Sequence, residues 1–454
     1  MKGKVLKRVM CIAMAGMITA SLAACGESKD PDATATQAPT TAAATQATET
    51  KAAEPVTLKF FSNLPDRSAG QGKVEQELID SYIKENPNVT IELEPLQDEP
   101  YKQKFKAYSA SNSLPDVFNV WGQPSFLGPV MESGLVGELA KADYDSYGFF
   151  PGSLDGFSQD GKLYGLPRNT DVMVLYYNKD IFEKNGIKVP TTTKELEEAS
   201  RQLRDKGIAP CAVNGKDKWT LAILYNDMEL KLSGDASIMK SAVGKQISFA
   251  KGESLVGAAN SFKSLMDTKF FQDSFVAADY GAARNLFGQG KAAMYYMGSW
   301  EMGMVSDEAL PEAVRNNIAV TRFPAVDGGK GSISDIAAWN GGGYSIAADS
   351  KAKEEAVKFL NYIFKPENWS KSVWEQGVCI PAQKYDAFLT GNETQVQKDL
   401  TQILSDATAL SGVTVNDLGT PAFKTDSENL AQQLAAGIIT PEKFLEEMDK
   451  AAAK

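Results

Sequence analysis

Leu163-Tyr164-Gly165-Leu166-Pro167-Arg168-Asn169-Thr170-Asp171-Val172-Met173-Val174-Leu175-Tyr176-Tyr177-Asn178-Lys179 is the stretch whose reading decides the fold. Gly165 and Pro167 forbid a regular helix at its start. A polar patch from Arg168 to Asp171 then gives way to the apolar run Val172 to Tyr177. That run is short, β-branched and aromatic, which predicts a strand buried on both faces of a parallel sheet. Asn178 and Asp180 are helix-starting residues directly after it. A polar, carboxylate-bearing turn thus feeds a buried strand, and a two-lobed protein places a hinge and a ligand contact at such a point.

Upstream, Val56 to Phe61 reads as a strand and Ser62 to Arg67 as a loop. Val74, Leu78, Ile79, Tyr82 and Ile83 mark one face of a helix that stops at Asn86-Pro87, and Val89, Ile91 and Leu93 alternate as a second strand. Leu114 to Trp121 is a third strand ending in an aromatic. Asp160-Gly161 marks a hairpin turn. Downstream, Thr192-x-x-Glu195 is a capping box opening a helix, Ile208 to Val213 is a strand, and a loop carrying Trp219 follows. Asn285 to Trp300 reads as helix end, glycine turn, buried strand and exit aromatic. The glycines Gly341, Gly342 and Gly343 suggest a backbone that bends as it crosses between lobes. Gly377 to Pro381 is a third breaker-rich crossing, and Thr440-Pro441-Glu442 opens the last helix. Alternating α/β units with crossings near positions 167, 340 and 380 predict two lobes and a central cleft. One lobe takes residues 55–167 and 340–378, and the other 168–339 and 379–454. Clefts of this kind are favoured sites for small molecules.

Lys2, Lys4, Lys7 and Arg8 precede the apolar segment Val9 to Ala20, which is too short for a span of ~20 residues and has the flanks of an export signal. Leu22-Ala23-Ala24-Cys25-Gly26 resembles the lipobox of bacterial lipoproteins. The resemblance implies a signal peptide over residues 1–24 and a diacylated Cys25 as the first mature residue. Residues 25–54 are mostly Thr, Ala, Gln and Pro with a few charges and no aromatic residue, a composition that cannot bury a core and predicts a disordered tether. As a coil it spans roughly 30 Å root-mean-square.

Without the basic signal residues, 43 basic residues face 58 acidic ones, which argues against a nucleic acid partner. Cys211 and Cys379 sit in apolar contexts that favour buried thiols over a disulfide, though an exported protein permits the pair. The chain contains no histidine, which excludes Ser-His and Cys-His nucleophile pairs, His general bases and His-ligated zinc. No phosphate-binding glycine loop is present, and Asp143-x-Asp145 lacks the later positions of a calcium loop. No metal and no cofactor are expected.

Tyr164-Gly165-Leu166-Pro167, Leu175-Tyr176-Tyr177-Asn178-Lys179-Asp180-Ile181-Phe182, Gly290-Lys291-Ala292-Ala293-Met294 with Gly298-Ser299-Trp300, and Gly341-Gly342-Gly343-Tyr344-Ser345-Ile346 resemble one family. It is the extracellular solute-binding proteins of ABC importers, family 1, whose sugar-binding subgroup includes maltose-binding protein. The resemblance implies a two-lobed periplasmic-binding-protein-like fold of type II. It implies a monomer lipid-anchored on the outer face of a Gram-positive-type cell membrane. Such a protein catalyses nothing and delivers a mono- or oligosaccharide to the transmembrane subunits of a permease.

Carried over by position, Trp300 and Trp121 fall on aromatics of opposite cleft walls, and Asp171 on a hinge-side carboxylate. Asn63, Asp66 and Arg67 fall in a loop that supplies polar contacts, and Trp219, Trp339 and Asn340 in segments that often face the cleft. Gly122-Gln123-Pro124 and Lys424 depart from the maltose-type pattern, which puts maltose itself in doubt. The chemistry is coherent, since flat aromatic walls suit sugar C–H faces, and carboxylates, amides and Arg suit hydroxyls. Trp369, Trp374 and the strand tyrosines Tyr176, Tyr177, Tyr295 and Tyr296 read as core. Two alternatives stay open, an exported carboxylate-dependent glycoside hydrolase or lyase and the same binding fold with a polyamine or peptide ligand.

Overall fold

The computed structural model describes residues 54–454; the export signal, Cys25 and the tether, read from residues 1–53, lie outside the described residues. Val56–Ser62 (β1), Gly70–Glu85 (α1), Val89–Pro95 (β2), Asp98–Ala110 (α2) and Val117–Trp121 (β3) open the first lobe. β1 pairs in parallel with both β2 and β3, as the strand–helix–strand reading requires. The hairpin expected at Asp160-Gly161 forms, with both turn residues at positive φ (52° and 78°).

Leu166–Pro167 (β4) still belongs to the first sheet, whereas Thr170–Asn178 (β5) lies at the heart of the second. The second lobe continues with Ala209–Ala212 (β6), Trp219–Ser233 (α3), Ala292–Gly298 (β7) and Ile318–Thr321 (β8). Ala338–Asn340 (β9) pairs with β5, and Gly342–Ile346 (β10) returns to the first sheet. The strand orders are therefore β2-β1-β3-β10-β4 and β8-β5-β7-β6, with β9 added on β5. Each sheet has its own apolar core. Phe60, Tyr344, Phe359 and Trp369 lie in one; Tyr176, Leu224, Phe262 and Tyr296 lie in the other.

The crossings lie side by side. Arg168 N donates to Gly342 O at 2.8 Å, Gly341 N to Asn169 O at 2.8 Å, Thr170 N to Ile380 O at 2.9 Å and Ala382 N to Arg168 O at 3.2 Å. At the third crossing Val378 and Cys379 pack in the first core and Ile380 in the second.

Several expectations need correction. β5 is buried on both faces, but β7, β8 and β9 all run antiparallel to it. A continuous apolar run reports burial, and nothing in its side chains encodes the direction of neighbouring strands. Trp219 is the first residue of α3 rather than a loop residue, and Trp339 lies within β9. The helix α3 itself escaped sequence reading because it is buried all round and shows no amphipathic period. Inside it Lys231 pairs with Asp227 at 2.9 Å, both essentially inaccessible.

The three crossing glycines have no positive φ, so bending is not their reason. They are required by close approach. A Cβ on Gly343 would lie 2.2 Å from Leu166 O, and one on Gly341 would lie 2.4 Å from Asp171 Oδ2. Cys211 and Cys379 are both free and buried, in separate cores. The caps fall where the sequence placed them. Asn178 Oδ1 accepts from Ile181 N, Thr192 and Glu195 form the full capping box, and Thr440 caps the helix with Pro441 in its first turn.

Gly343→Ala is expected to lower stability by about 1–3 kcal/mol through overpacking at the crossing. Gly128→Ala, in a short helix where no atom lies within 4 Å of the new methyl, should keep the urea midpoint or raise it slightly. Equal midpoints for the two variants would refute the close-approach reading.

Candidate functional site

The loops after β1, β3 and β7 leave their sheets at the carboxyl ends of the strands, where open α/β sheets present ligand sites. Together with the start of α1, the start of α3 and the crossings, they enclose a cleft of about 460 Å³. Asn63, Asp66 and Trp121 line it from the first lobe, Trp219, Trp300 and Trp339 from the second, and Asp171 from the crossing.

The second-lobe wall is aromatic. Trp300 stands between Trp219 and Trp339, with ring centroids 5.9 Å and 6.1 Å away. Trp300 folds back over its own strand, and only Gly298 permits this, since a Cβ there would lie 2.0 Å from the indole. Its Nε1 donates to Tyr280 Oη at 3.1 Å, and Tyr280 in turn donates to Glu301. Arg284 clamps Glu301 at 2.9 Å and Asp307 at 2.8 Å. The indole is therefore oriented by a chain of charge-assisted bonds. Opposite it, Trp121 packs edge-on against Phe126 and Tyr101, at 5.0 and 5.9 Å, with Lys102 Nζ 5.3 Å from its ring centroid.

At the floor, Arg168 is buried and donates to Asn63 Oδ1 at 3.0 Å and Tyr344 Oη at 3.2 Å, with its guanidinium 5.0 Å from the Tyr344 ring centroid. Tyr344 passes the link to the buried Glu75 of α1. Asp171 is buried too. Its Oδ1 accepts from the Asn169 amide, and among the described residues no donor reaches Oδ2. Burial pushes its pKa up to about 7, against the pull of the Arg168 charge and the Asn169 hydrogen bond.

Two sequence-predicted residues do not join the cleft lining. Arg67 turns toward α1, where its Nη1 meets Glu75 at 2.5 Å. Asn340 donates to Gly152 O at 3.2 Å. In a strand, neighbours point to opposite faces, so with Trp339 on the cleft Asn340 faces away. Conversely, Arg168, Gln71, Tyr280, Arg284, Asp417 and Lys424 line the cleft without having been nominated. Arg168 lay in the polar patch of the opening stretch, and Lys424 stood out only as a departure from the maltose-type pattern. Gln71, Tyr280, Arg284 and Asp417 carry no local signal. Among the described residues no group of three or more Cys, Asp or Glu side chains forms a metal site.

The arrangement suits a polyhydroxylated ligand, with flat apolar walls, an acceptor at Asp171 and donors at Arg168 and Trp121. It also makes the ligand-free protein sensitive to pH. Burial favours the protonated Asp171, so between its ordinary pKa of 3.8 and about 7 the folded state holds a proton the unfolded chain has released. Stability from this group accordingly falls as pH rises across that window. Asp171→Asn should raise the melting temperature at about pH 8, with the gain shrinking toward about pH 5. A gain independent of pH would refute the assignment.

The family model for bacterial extracellular solute-binding proteins matches residues 63–368. The chain is 24% identical over 367 residues to a multiple sugar-binding protein of Streptococcus mutans, covering 79% of this chain and 78% of that one. It is 24% identical over 348 residues to a galactooligosaccharide-binding protein of Bacillus subtilis, covering 74% and 76%. A solved structure from work on xylan utilization by Caldanaerobius polysaccharolyticus superposes with a TM-score of 0.80 at 30% identity, over 87% of this chain and 99% of that one. A chitin oligosaccharide binding protein superposes at 0.78 with 25% identity, over 88% and 98%. Among the described residues no helix is long and apolar enough to cross a membrane. The family match takes in the second sheet, the first apart from β1, and two of the three crossings, and the chain belongs to the bacterial extracellular solute-binding proteins.

Proposed function

We propose that this protein captures a short saccharide in the interlobe cleft, leaves it chemically unchanged and hands it to the membrane subunits of an ABC importer. The observation that carries the reading is the Trp219–Trp300–Trp339 wall facing Trp121 across a floor of Arg168 and Asp171. The similarity to a multiple sugar-binding protein, a galactooligosaccharide-binding protein and a chitin oligosaccharide binding protein supports the same ligand class. Hinge motion at the three crossings opens the cleft, and ligand contacts to both lobes favour the closed state.

The carboxylates argue for capture over hydrolysis. A glycosidase needs two cleft carboxyl groups available to the bond being cut. Here Asp98 is engaged by Trp219 and Lys102, Glu301 by Tyr280 and Arg284, Asp417 by Lys424, and Asp66 by the turn at Ser68 and Ala69. Among the described residues of the cleft, Asp171 and Asp66 each keep one oxygen without a protein donor, and of the two only Asp171 is buried. A polyamine would call for several free carboxylates, which the cleft does not offer.

Cys25 anchors the protein to the outer face of the membrane, and residues 26–54 link it to the lobes. Cys25→Ala is expected to shift the protein from the membrane fraction to the medium; continued membrane association would reject the anchor. For the ligand, calorimetric titration of residues 54–454 with mono- and oligosaccharides should reveal saturable binding, quenched or shifted Trp fluorescence and no product. Trp300→Ala should weaken that binding at least about tenfold, or ~1.4 kcal/mol. Turnover of the sugar would replace this reading with a hydrolase, and a response to a polyamine or peptide alone would replace the ligand.

A further inference from the structure

Beyond the aromatic walls, one feature of the cleft bears on which part of a saccharide it accepts. Asp417 closes a short turn, Val415–Asp417, in the second lobe and is buried. Four side chains donate to its carboxylate, and they come from both lobes. Lys424 Nζ reaches Oδ1 at 2.8 Å and Asn416 Nδ2 reaches Oδ2 at 3.2 Å, both from the second lobe. Ser125 Oγ donates from the loop after β3 in the first lobe. Gln123 of the same loop, its amide nitrogen turned to the carboxylate, lies 3.2 and 3.1 Å from the two oxygens.

Close by, Trp219 Nε1 of the second lobe donates at 3.0 Å to Asp98 Oδ2 of the first. Asp98 is also held by Lys102 at 2.9 Å. The Gln123–Ser125 loop is itself rigid. Gly122 packs against Phe157 and Gly156, leaving no room for a Cβ, and Gln123 O accepts from Phe126 N and Leu127 N at 3.0 Å each. Two neighbouring sets of charge-assisted hydrogen bonds, the first centred on the buried Asp417, therefore form a strut from one lobe to the other, and Gln123, Asn416, Asp417 and Lys424 also face the cleft. Lys424 Nζ spends two of its hydrogens on Asp417 and Glu428, at 2.8 and 2.7 Å. An ammonium has three donors, so one remains for a ligand.

We propose that this strut is a chain stop. The saccharide enters by one end, its terminal ring abuts Gln123, Asn416 and Lys424, and no chain continues past them on the side of α2 and Pro421–Ala435. The protein then selects short oligosaccharides by a free terminus and rejects the interior of a polymer. Specificity arises here from an obstacle as much as from contacts, since a longer chain must break buried hydrogen bonds to fit. This inference rests on the saccharide reading above.

The test is titration of the wild-type protein with a length series of the responsive saccharide. It is repeated with ligands bulkily conjugated at the reducing end, and with ligands blocked at the non-reducing end. Affinity should stop rising after a short length, and one of the two end modifications should weaken binding by more than about tenfold. The Gln123→Ala/Ser125→Ala double variant should recover binding of the blocked ligand. If that variant fails to fold, the two modified ligands on the wild type still decide the matter. Tolerance of both modifications within about twofold, or affinity that climbs steadily with length, overturns the chain stop while leaving the sugar reading intact. Failure of every unmodified saccharide to bind rejects the sugar reading and the chain stop with it.

Discussion

The hydrogen-bonded alignment of the three crossing segments is the constraint on which the rest of the molecule depends. Arg168 and Asn169, Gly341 and Gly342, and Ile380 to Ala382 exchange four backbone bonds within a span of a few residues. Backbone groups this deeply placed must be paired, and side chains here would force the segments apart. Gly341 and Gly342 answer that demand by letting Asp171 Oδ2 and Arg168 Nη2 lie where their own β-carbons would stand. Two sheets of separate origin thus share one narrow seam, and the cleft opens directly above it.

The seam also explains how opposite charges come to rest on the cleft floor. Arg168 is tolerated in burial because Asn63, Tyr344 and the aromatic faces of Tyr344 and Trp369 surround it, and Tyr344 is tied to Glu75. Glu75 in turn is held by Ser62 and Arg67. Buried charges need such networks, and this one leaves only single nitrogens of its arginines, Arg168 Nε and Arg67 Nη2, without a partner among the described residues. Arg67 thereby supports Glu75 from behind the floor instead of lining the cleft. Asp171 too is incompletely paired and has a raised pKa, and an unfilled acceptor in a cleft is what a hydroxyl-bearing ligand would complete.

Much of the architecture was legible because it rests on local chemistry. The caps at Asn178, Thr192 and Thr440, the Asp160-Gly161 hairpin and the glycine turn before β7 are short-range signals whose energies do not depend on distant partners. The aromatics Trp121 and Trp300 could be placed in the cleft by the family resemblance, and their position at strand exits agrees with it. Direction of pairing around β5, the buried helix α3 and the orientation of Arg67 were not legible. Each depends on what a side chain or strand meets after the chain has folded back on itself. Arg67 and Arg168 are both arginines in polar loops, and only the position of Glu75 sends one of them away from the cleft.

By itself the sequence determined that the chain is α/β with repeated breaks between units, that histidine-based catalysis is excluded, and that tryptophans and a carboxylate stand near the breaks. These follow from composition, periodicity and turn chemistry, which act over a few residues. Only the tertiary structure decided which lobe each strand joined and which charges faced inward. It also decided that Gln123 and Ser125 would meet Asp417 across the cleft, almost three hundred positions away. The reason is physical: a contact between distant segments is set by burial and hydrogen-bond satisfaction over the whole fold, and no local window of sequence contains that information.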